Sequence, residues 1–209
     1  MTISDILKEK GKLNYKVKSQ QPKREKLTED QFLHTLFRLV GNRMKYGVSG
    51  YDLDDNNRHV IEQLFYYYNK DDKFNGNLEK GILLAGAIGC GKTILMGSFF
   101  EMLCANEQSN KWMNSTDIAD YLSGVKEDTR FGKRLLYVDD IGKEQSDVKH
   151  YGNLIHPFEE LVRKKYNTGL PMFGTTNLKY EDMSYVGHTV DRMKEMFNFI
   201  VLPGKSRRK

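Results

Sequence analysis

The 209-residue chain predicts a three-layer α/β fold, with helices on both faces of a parallel sheet. Three observations carry that expectation. Short apolar runs alternate with amphipathic helical patterns between residues 81 and 202, the arrangement of a parallel sheet covered on both sides. One run, Gly81-Ile82-Leu83-Leu84-Ala85, leads directly into Gly86-Ala87-Ile88-Gly89-Cys90-Gly91-Lys92-Thr93. Another, Arg134-Leu135-Leu136-Tyr137-Val138, closes on the adjacent carboxylates Asp139 and Asp140.

Residues 1–27 lack sustained periodicity and contain Gly11 and Pro22, so they read as an arm; Ile3, Ile6 and Leu7 could form one short apolar helical face. Thr28-Glu29-Asp30-Gln31 has the form of a capping box, and Phe32, Leu33, Leu36, Phe37 and Val40 follow on one helical stripe. Gly41, Gly47 and Gly50 interrupt the chain. Asp54 or Asp55 can cap a second helix that buries Val60, Ile61, Leu64, Phe65 and Tyr68, and the rings of Tyr66, Tyr67 and Tyr68 cannot share one face.

After the glycine-rich loop, Leu95, Phe99 and Met102 recur at helical spacing. Lys111-Trp112-Met113 reads as a second strand, and Ser115 or Thr116 caps a helix carrying Ile118, Tyr121 and Leu122. The third strand ends at Asp139-Asp140, and Lys143–His156 is polar. Pro157 marks a break or first helical turn; Phe158, Leu161 and Val162 continue that helix to Tyr166, and Asn167-Thr168-Gly169 ends it. Leu170–Thr176 is a fourth strand closing on Asn177, short helices cover 179–196, and Asn198–Leu202 is a fifth strand.

The loop fits the phosphate-binding pattern G-x-x-x-x-G-K-[ST] at every fixed position. Its glycines let successive N–H groups turn inward as a nest for phosphate oxygens. Residues Gly86 to Ile94 therefore form the candidate cradle, at the N-terminus of a helix whose dipole favours anions. Lys92 adds a charge that can reach the β- and γ-phosphates, and the Thr93 hydroxyl can complete a Mg²⁺ shell. This is a P-loop NTPase signature, and ATP with Mg²⁺ is the expected ligand. Asp139 would hold the metal and Asp140 would activate the attacking water, since two adjacent carboxylates repel unless a cation is near. Asn177 could polarise that water or sense the γ-phosphate without changing the local charge. Arg192 reads either as an arginine finger toward a neighbouring subunit or as a helix-surface partner of Glu195.

Composition bounds the rest. With 39% hydrophobic residues there is enough for a core, and no apolar run reaches membrane-spanning length. The start carries no signal-peptide pattern, and Cys90 and Cys104 have no metal-ligand spacing, which points to a reducing cytoplasm. His34, His59, His150, His156 and His188 show no clustered ligand spacing either. Arg163-Lys164-Lys165 suits a helix C-terminus. The net charge of +5 is uneven: residues 1–26 hold eight Lys or Arg against three Asp or Glu, and the last six residues hold four more. Basic ends read as nucleic-acid contacts or as solvated tails.

The succession Gly81–Thr93, Tyr137-Val138-Asp139-Asp140-Ile141-Gly142, Thr175-Thr176-Asn177-Leu178 and Asp191-Arg192-Met193 resembles the AAA+ ATPases. Within them it is similar to the DnaC/DnaI-type bacterial helicase loaders and the related IstB-type transposition ATPases. The resemblance spans about residues 45–203 and implies a strand order 5-1-4-3-2, no C-terminal lid domain, and ATP-dependent homo-oligomers. It implies Lys92 on phosphate, Thr93 and Asp139 on Mg²⁺, Asp140 as catalytic acid, Asn177 as first sensor and Arg192 in the arginine-bearing box. It further implies a protein client, a replicative helicase or a transposase, with single-stranded DNA as a second partner. His188 stands where these loaders often have an arginine, and the N-terminal region lacks the zinc-binding cysteines some of them carry. The expected organisation is a basic arm over 1–27, an ATPase domain over 28–203 and a basic tail over 204–209, in the cytoplasm and without a membrane. A small-molecule kinase and a nucleotide-switched DNA-binding scaffold remain as rival readings; the carboxylate pair and strand-end Asn177 favour water activation over transfer to an acceptor.

Overall fold

The computed structural model describes residues 24–44, 51–104, 111–124, 135–144, 148–150 and 153–207. Most of the expected N-terminal arm, with Ile3, Ile6, Leu7, Gly11 and Pro22, lies outside the described residues, as do Gly47, Gly50, Arg208 and Lys209. No helix among the described residues is long and apolar enough to cross a membrane.

The first helix, α1 (Glu29–Arg43), opens on the expected capping box: Gln31 N donates to Thr28 Oγ1, and Thr28 N donates back to Gln31 Oε1. Such a cap contributes about 1 kcal/mol. Helix α2 (Arg58–Asn69) begins later than either expected aspartate cap. Asp54 instead closes a turn ahead of it, accepting from the N–H groups of Asn56 and Asn57. Of the tyrosine run, Tyr67 rather than Tyr68 is fully buried, because its hydroxyl donates to Lys80 O at 2.7 Å while its ring meets Phe74, Phe99 and Phe173.

Strand β1 (Gly81–Ala85) feeds the loop and α3 (Lys92–Leu103). Strand β2 (Lys111–Asn114), a 3₁₀ turn at Ser115–Asp117 and α4 (Ile118–Gly124) follow, then β3 (Leu136–Ile141). The polar segment after β3, for which no element was expected, contains a two-stranded antiparallel ribbon, β4 (Val148–His150) with β5 (Asn153–Ile155). Each strand is only three residues long, too short for a readable period-2 pattern. Helix α5 (Pro157–Tyr166) takes Pro157 in its first turn, β6 (Met172–Thr176) follows, and a 3₁₀ turn (Tyr180–Asp182) leads to α6 (Gly187–Met196) and β7 (Phe197–Val201).

The five long strands form one parallel sheet in the order β2-β3-β6-β1-β7, which is the expected 5-1-4-3-2 read from the other edge. Alternation along β1 divides the core. Ile82 and Leu84 face α1, α2 and α3, whereas Leu83 faces α4, α5 and α6. All five residues of β1 and all five of β6 are buried, so these central strands fix the loop at the end of one and Asn177 at the end of the other. A register shift between Val138 and Ile141 breaks the β3–β6 ladder where the two carboxylates sit.

Candidate nucleotide site

Strand ends converge on one cleft. Its floor and walls come from Gly89, Gly91, Lys92 and Thr93 of the loop, from Asp140 near the end of β3 and Lys143 after it, and from Asn177 after β6. Tyr51, Ile88, Ile94 and Arg207 close the remaining sides of a space of roughly 100 Å³. Six of the candidate cradle residues, the catalytic-acid candidate and the sensor candidate therefore lie in a single place.

The loop curls because its glycines permit it. Gly91 has φ +102°, and a Cβ there would stand 2.3 Å from Tyr51 Cε2. Gly86 runs so close to the C-terminal segment that a Cβ would meet Leu202 O at 2.4 Å. Ala87 and Ile88 form the exposed crest, Ile88 being 65% exposed, whereas Cys90 is buried with its thiol 3.8 Å from Leu202 O.

Lys92 turns inward and is buried. Its ammonium donates to Ala87 O at 2.9 Å and to Asn177 Oδ1 at 2.7 Å. Burial pulls its pKa below the usual lysine range, while Cys90, Asp140 and Asp139 pull the other way. Phosphate oxygens offer the same kind of acceptor that Ala87 and Asn177 now supply, with negative charge added.

Asp139 and Asp140 differ sharply in setting. Asp139 is 5% exposed, and its Oδ1 accepts from Tyr137 Oη at 2.8 Å and from Thr175 Oγ1 at 2.6 Å. No described residue forms an ion pair with it, and no hydrogen bond among the described residues reaches its Oδ2. A buried carboxylate with one open oxygen and no direct ion pair is a setting in which a hard cation is favoured, so the residues fit Mg²⁺. Thr93, in the first turn of α3, supplies a hydroxyl oxygen of the same class. Among the described residues no group of three or more His, Cys, Asp or Glu is placed to hold a metal, so a cation here would be shared with the phosphates. Burial and the Asp139 charge push the Tyr137 phenol well above its usual range, so it stays protonated and donating.

Asp140 faces the cleft, with φ +57°, a left-handed conformation that costs a residue with a Cβ about 1 kcal/mol or more. Its N–H donates to Thr175 Oγ1 and its carbonyl accepts from Ser115 Oγ, which explains why Ser115 does not cap the helix after β2. Arg192 does not line the cleft of its own chain. Its guanidinium lies 5.4 Å from the Tyr166 ring, and Glu195, the expected helix partner, accepts from the Tyr166 hydroxyl instead.

Two features had no sequence signal. Arg207 is built into the loop: its N–H donates to Gly89 O, its Nε to Cys90 O and its Nη2 to Asp54 Oδ2, with the Tyr51 ring 4.7 Å away. In sequence it reads as one more basic residue near the end. Lys143 stands 2.8 Å from Asp140 Oδ2 and also lines the cleft.

No protein-family model matches the chain, and neither does any curated protein. Solved structures do. The crystal structure of the DnaC helicase loader superposes with a TM-score of 0.52 at 18% identity, covering 74% of this chain and 94% of that one. The crystal structure of DnaI gives 0.52 at 19% identity, over 82% and 93%. The replication initiator DnaA, bound to AMPPCP and single-stranded DNA, gives 0.55 at 14% identity, over 77% of this chain and 50% of that one. The chain has the P-loop AAA+ α/β fold. Within that fold the cleft described above lies at the carboxyl ends of β1, β3 and β6, where open parallel sheets bind their ligands.

Proposed function

We propose that this chain is an ATPase that couples ATP binding and hydrolysis to loading a replicative helicase or remodelling another DNA-bound protein assembly. One observation carries the catalytic part: Lys92, Asp140 and Asn177, far apart in sequence, line one cleft beside the glycine-rich loop. The likeness of the fold to a helicase loader and to a DnaA bound to AMPPCP and single-stranded DNA supports the nucleotide and the cellular setting.

In this reading the loop N–H groups and Lys92 hold the phosphates, and the ammonium leaves Ala87 O and Asn177 Oδ1 for phosphate oxygens. Tyr51 and Ile88 offer apolar surface to a purine. Thr93 and Asp139 would hold Mg²⁺, which supplies charge neutralisation at the transferred phosphoryl group. Asp140 orients the water and accepts its proton as oxygen attacks the γ-phosphorus and the bond to ADP breaks. Asn177, released from Lys92, hydrogen-bonds the water or the γ-phosphate. The cation stabilising the leaving charge comes from a neighbouring copy in an ATP-dependent homo-oligomer, with Arg192 as its candidate, because Arg192 is absent from its own cleft.

Nucleotide binding and phosphate release by the full chain test this directly. Lys92→Ala should abolish nucleotide binding; Asp140→Asn should bind ATP and release no phosphate. Protein captured on the ATP-locked Asp140→Asn variant would then identify the client. Unchanged turnover in both variants overturns the site, and a phosphorylated acceptor in place of free phosphate makes the chain a kinase.

A further inference from the structure

The metal-ligand candidate Asp139 is held by a device that the loop motif does not contain. Its Oδ1 takes two hydroxyl donors, Tyr137 Oη at 2.8 Å and Thr175 Oγ1 at 2.6 Å. The direction of both bonds is determined by hydrogen-bond accounting. Carboxylate oxygens accept, so Thr175 Oγ1 gives its single proton to Asp139 while a lone pair accepts from Asp140 N at 3.0 Å. A phenol beside a carboxylate in a buried setting can only donate. With Oδ1 committed to two donors, Oδ2 is the oxygen left for a cation.

Tyr137 is held by its packing. It is fully buried, two residues before Asp139 on the same face of β3, with Trp112 edge-on at 4.9 Å and Phe100 at 5.5 Å. Its ring cannot swing without repacking that cluster, so the hydroxyl is fixed relative to the strand that carries Asp139. Nothing in phosphate-loop chemistry requires a hydroxyl at this position; an apolar side chain would fill the same space.

We infer that Tyr137 is a positioning residue for Mg²⁺: its hydroxyl fixes the Asp139 carboxylate so that Oδ2 presents to the ion. This rests on the ATPase reading, and it assigns to the chain a support behind the metal ligand. Groups of this kind set ligand orientation, and their loss costs roughly 10–100-fold in metal affinity.

Tyr137→Phe in the full chain tests it, since only the oxygen is removed and the ring packing stays. A fluorescent ATP analogue would be titrated in EDTA and then with Mg²⁺, and Mn²⁺ binding to the nucleotide complex would be followed by electron paramagnetic resonance. The expected result is unchanged affinity in EDTA, with half-saturation by Mg²⁺ and Mn²⁺ raised roughly tenfold or more. Thr175→Ser, which keeps the second donor, should leave the metal dependence at the wild-type value. Wild-type metal dependence in Tyr137→Phe overturns the inference, and so does an equal loss in EDTA, which would mean general damage to the cleft. If the wild-type chain itself binds no nucleotide, the ATPase reading fails instead.

Discussion

Lys143 places its ammonium 2.8 Å from Oδ2 of Asp140, three residues back along the chain. Backbone repeats the link, Lys143 N donating to Asp140 O at 3.1 Å. Together with the bonds from Ser115 and to Thr175, this holds Asp140 in its left-handed conformation from every side. The side-chain pair itself is half exposed, and such pairs contribute about 0–1 kcal/mol. Phosphate charge entering the cleft can therefore draw Lys143 away at small cost.

Lys143→Ala should accordingly leave thermal stability almost unchanged, within about 1 kcal/mol. Nucleotide affinity should fall about three- to tenfold at low salt, and the deficit should shrink as ionic strength rises. Calorimetric titration at two salt concentrations, beside a melting curve, checks both parts. A large loss of stability with intact affinity would make Lys143 a structural residue only.

Arg207 joins the loop to the segment before α2 through Gly89, Cys90 and Asp54. Replacing it by alanine removes the charged hydrogen bonds to Cys90 O and Asp54 Oδ2 and keeps the backbone N–H bond to Gly89 O; each lost bond contributes about 1.5–3 kcal/mol at most. Arg207→Ala should lower the melting temperature and weaken nucleotide binding about tenfold, with hydrogen exchange rising at residues 86–91. Unaltered exchange in that loop would show that Arg207 does not brace it.

Periodicity and motif spacing reveal the fold because the signals are local. A buried five-residue strand, a glycine-rich turn and an amphipathic helix each announce themselves within a dozen residues, and the capping box at Thr28 is contained in four. Lys92, Asp140 and Asn177 were legible for the same reason, each closing a recognisable run. Arg207 was not, because its role depends on Leu202 pairing with Ala85 and carrying the chain back over the loop, 117 residues from the Cys90 carbonyl it binds. Tyr137 reads as one more apolar strand residue; the structure shows its buried hydroxyl reaching the carboxylate two residues on along the same face of β3. Ser115 shows the converse, a local cap signal redirected to the Asp140 carbonyl by the neighbouring strand.

The close approach of Gly91 to Tyr51 makes a third test. Gly91→Ala faces a φ of +102° and a contact of 2.3 Å with the ring, so both the loop and Tyr51 must shift. A strained backbone of this kind costs about 1–3 kcal/mol. The sheet and helices do not depend on that contact, so circular dichroism should report a folded protein that no longer binds nucleotide. A variant that binds ATP normally would show that the loop has room the geometry denies it.

Lys165 gives a prediction in pH. It is 1% exposed at the end of α5, and burial lowers its pKa to about 8. Below pH 8 both folded and unfolded chains carry the proton, so the cost of burying the charge is present in full. Between about pH 8 and the ordinary lysine value near 10.5, the unfolded chain binds the proton and the folded one does not, so stability rises with pH. The full gain is about 3 kcal/mol. Buried phenols act in the opposite sense: Tyr180 is pushed up to about 12, so above pH 10 the unfolded chain releases protons that the folded one keeps, and stability falls. Urea unfolding from pH 7 to 11 should therefore pass through a maximum near pH 10. Lys165→Met should remove the larger part of the rise between 8 and 10 and keep the fall above it, the buried Lys92 contributing the remainder in the same sense. A rise of undiminished size in this variant would place the titrating group elsewhere.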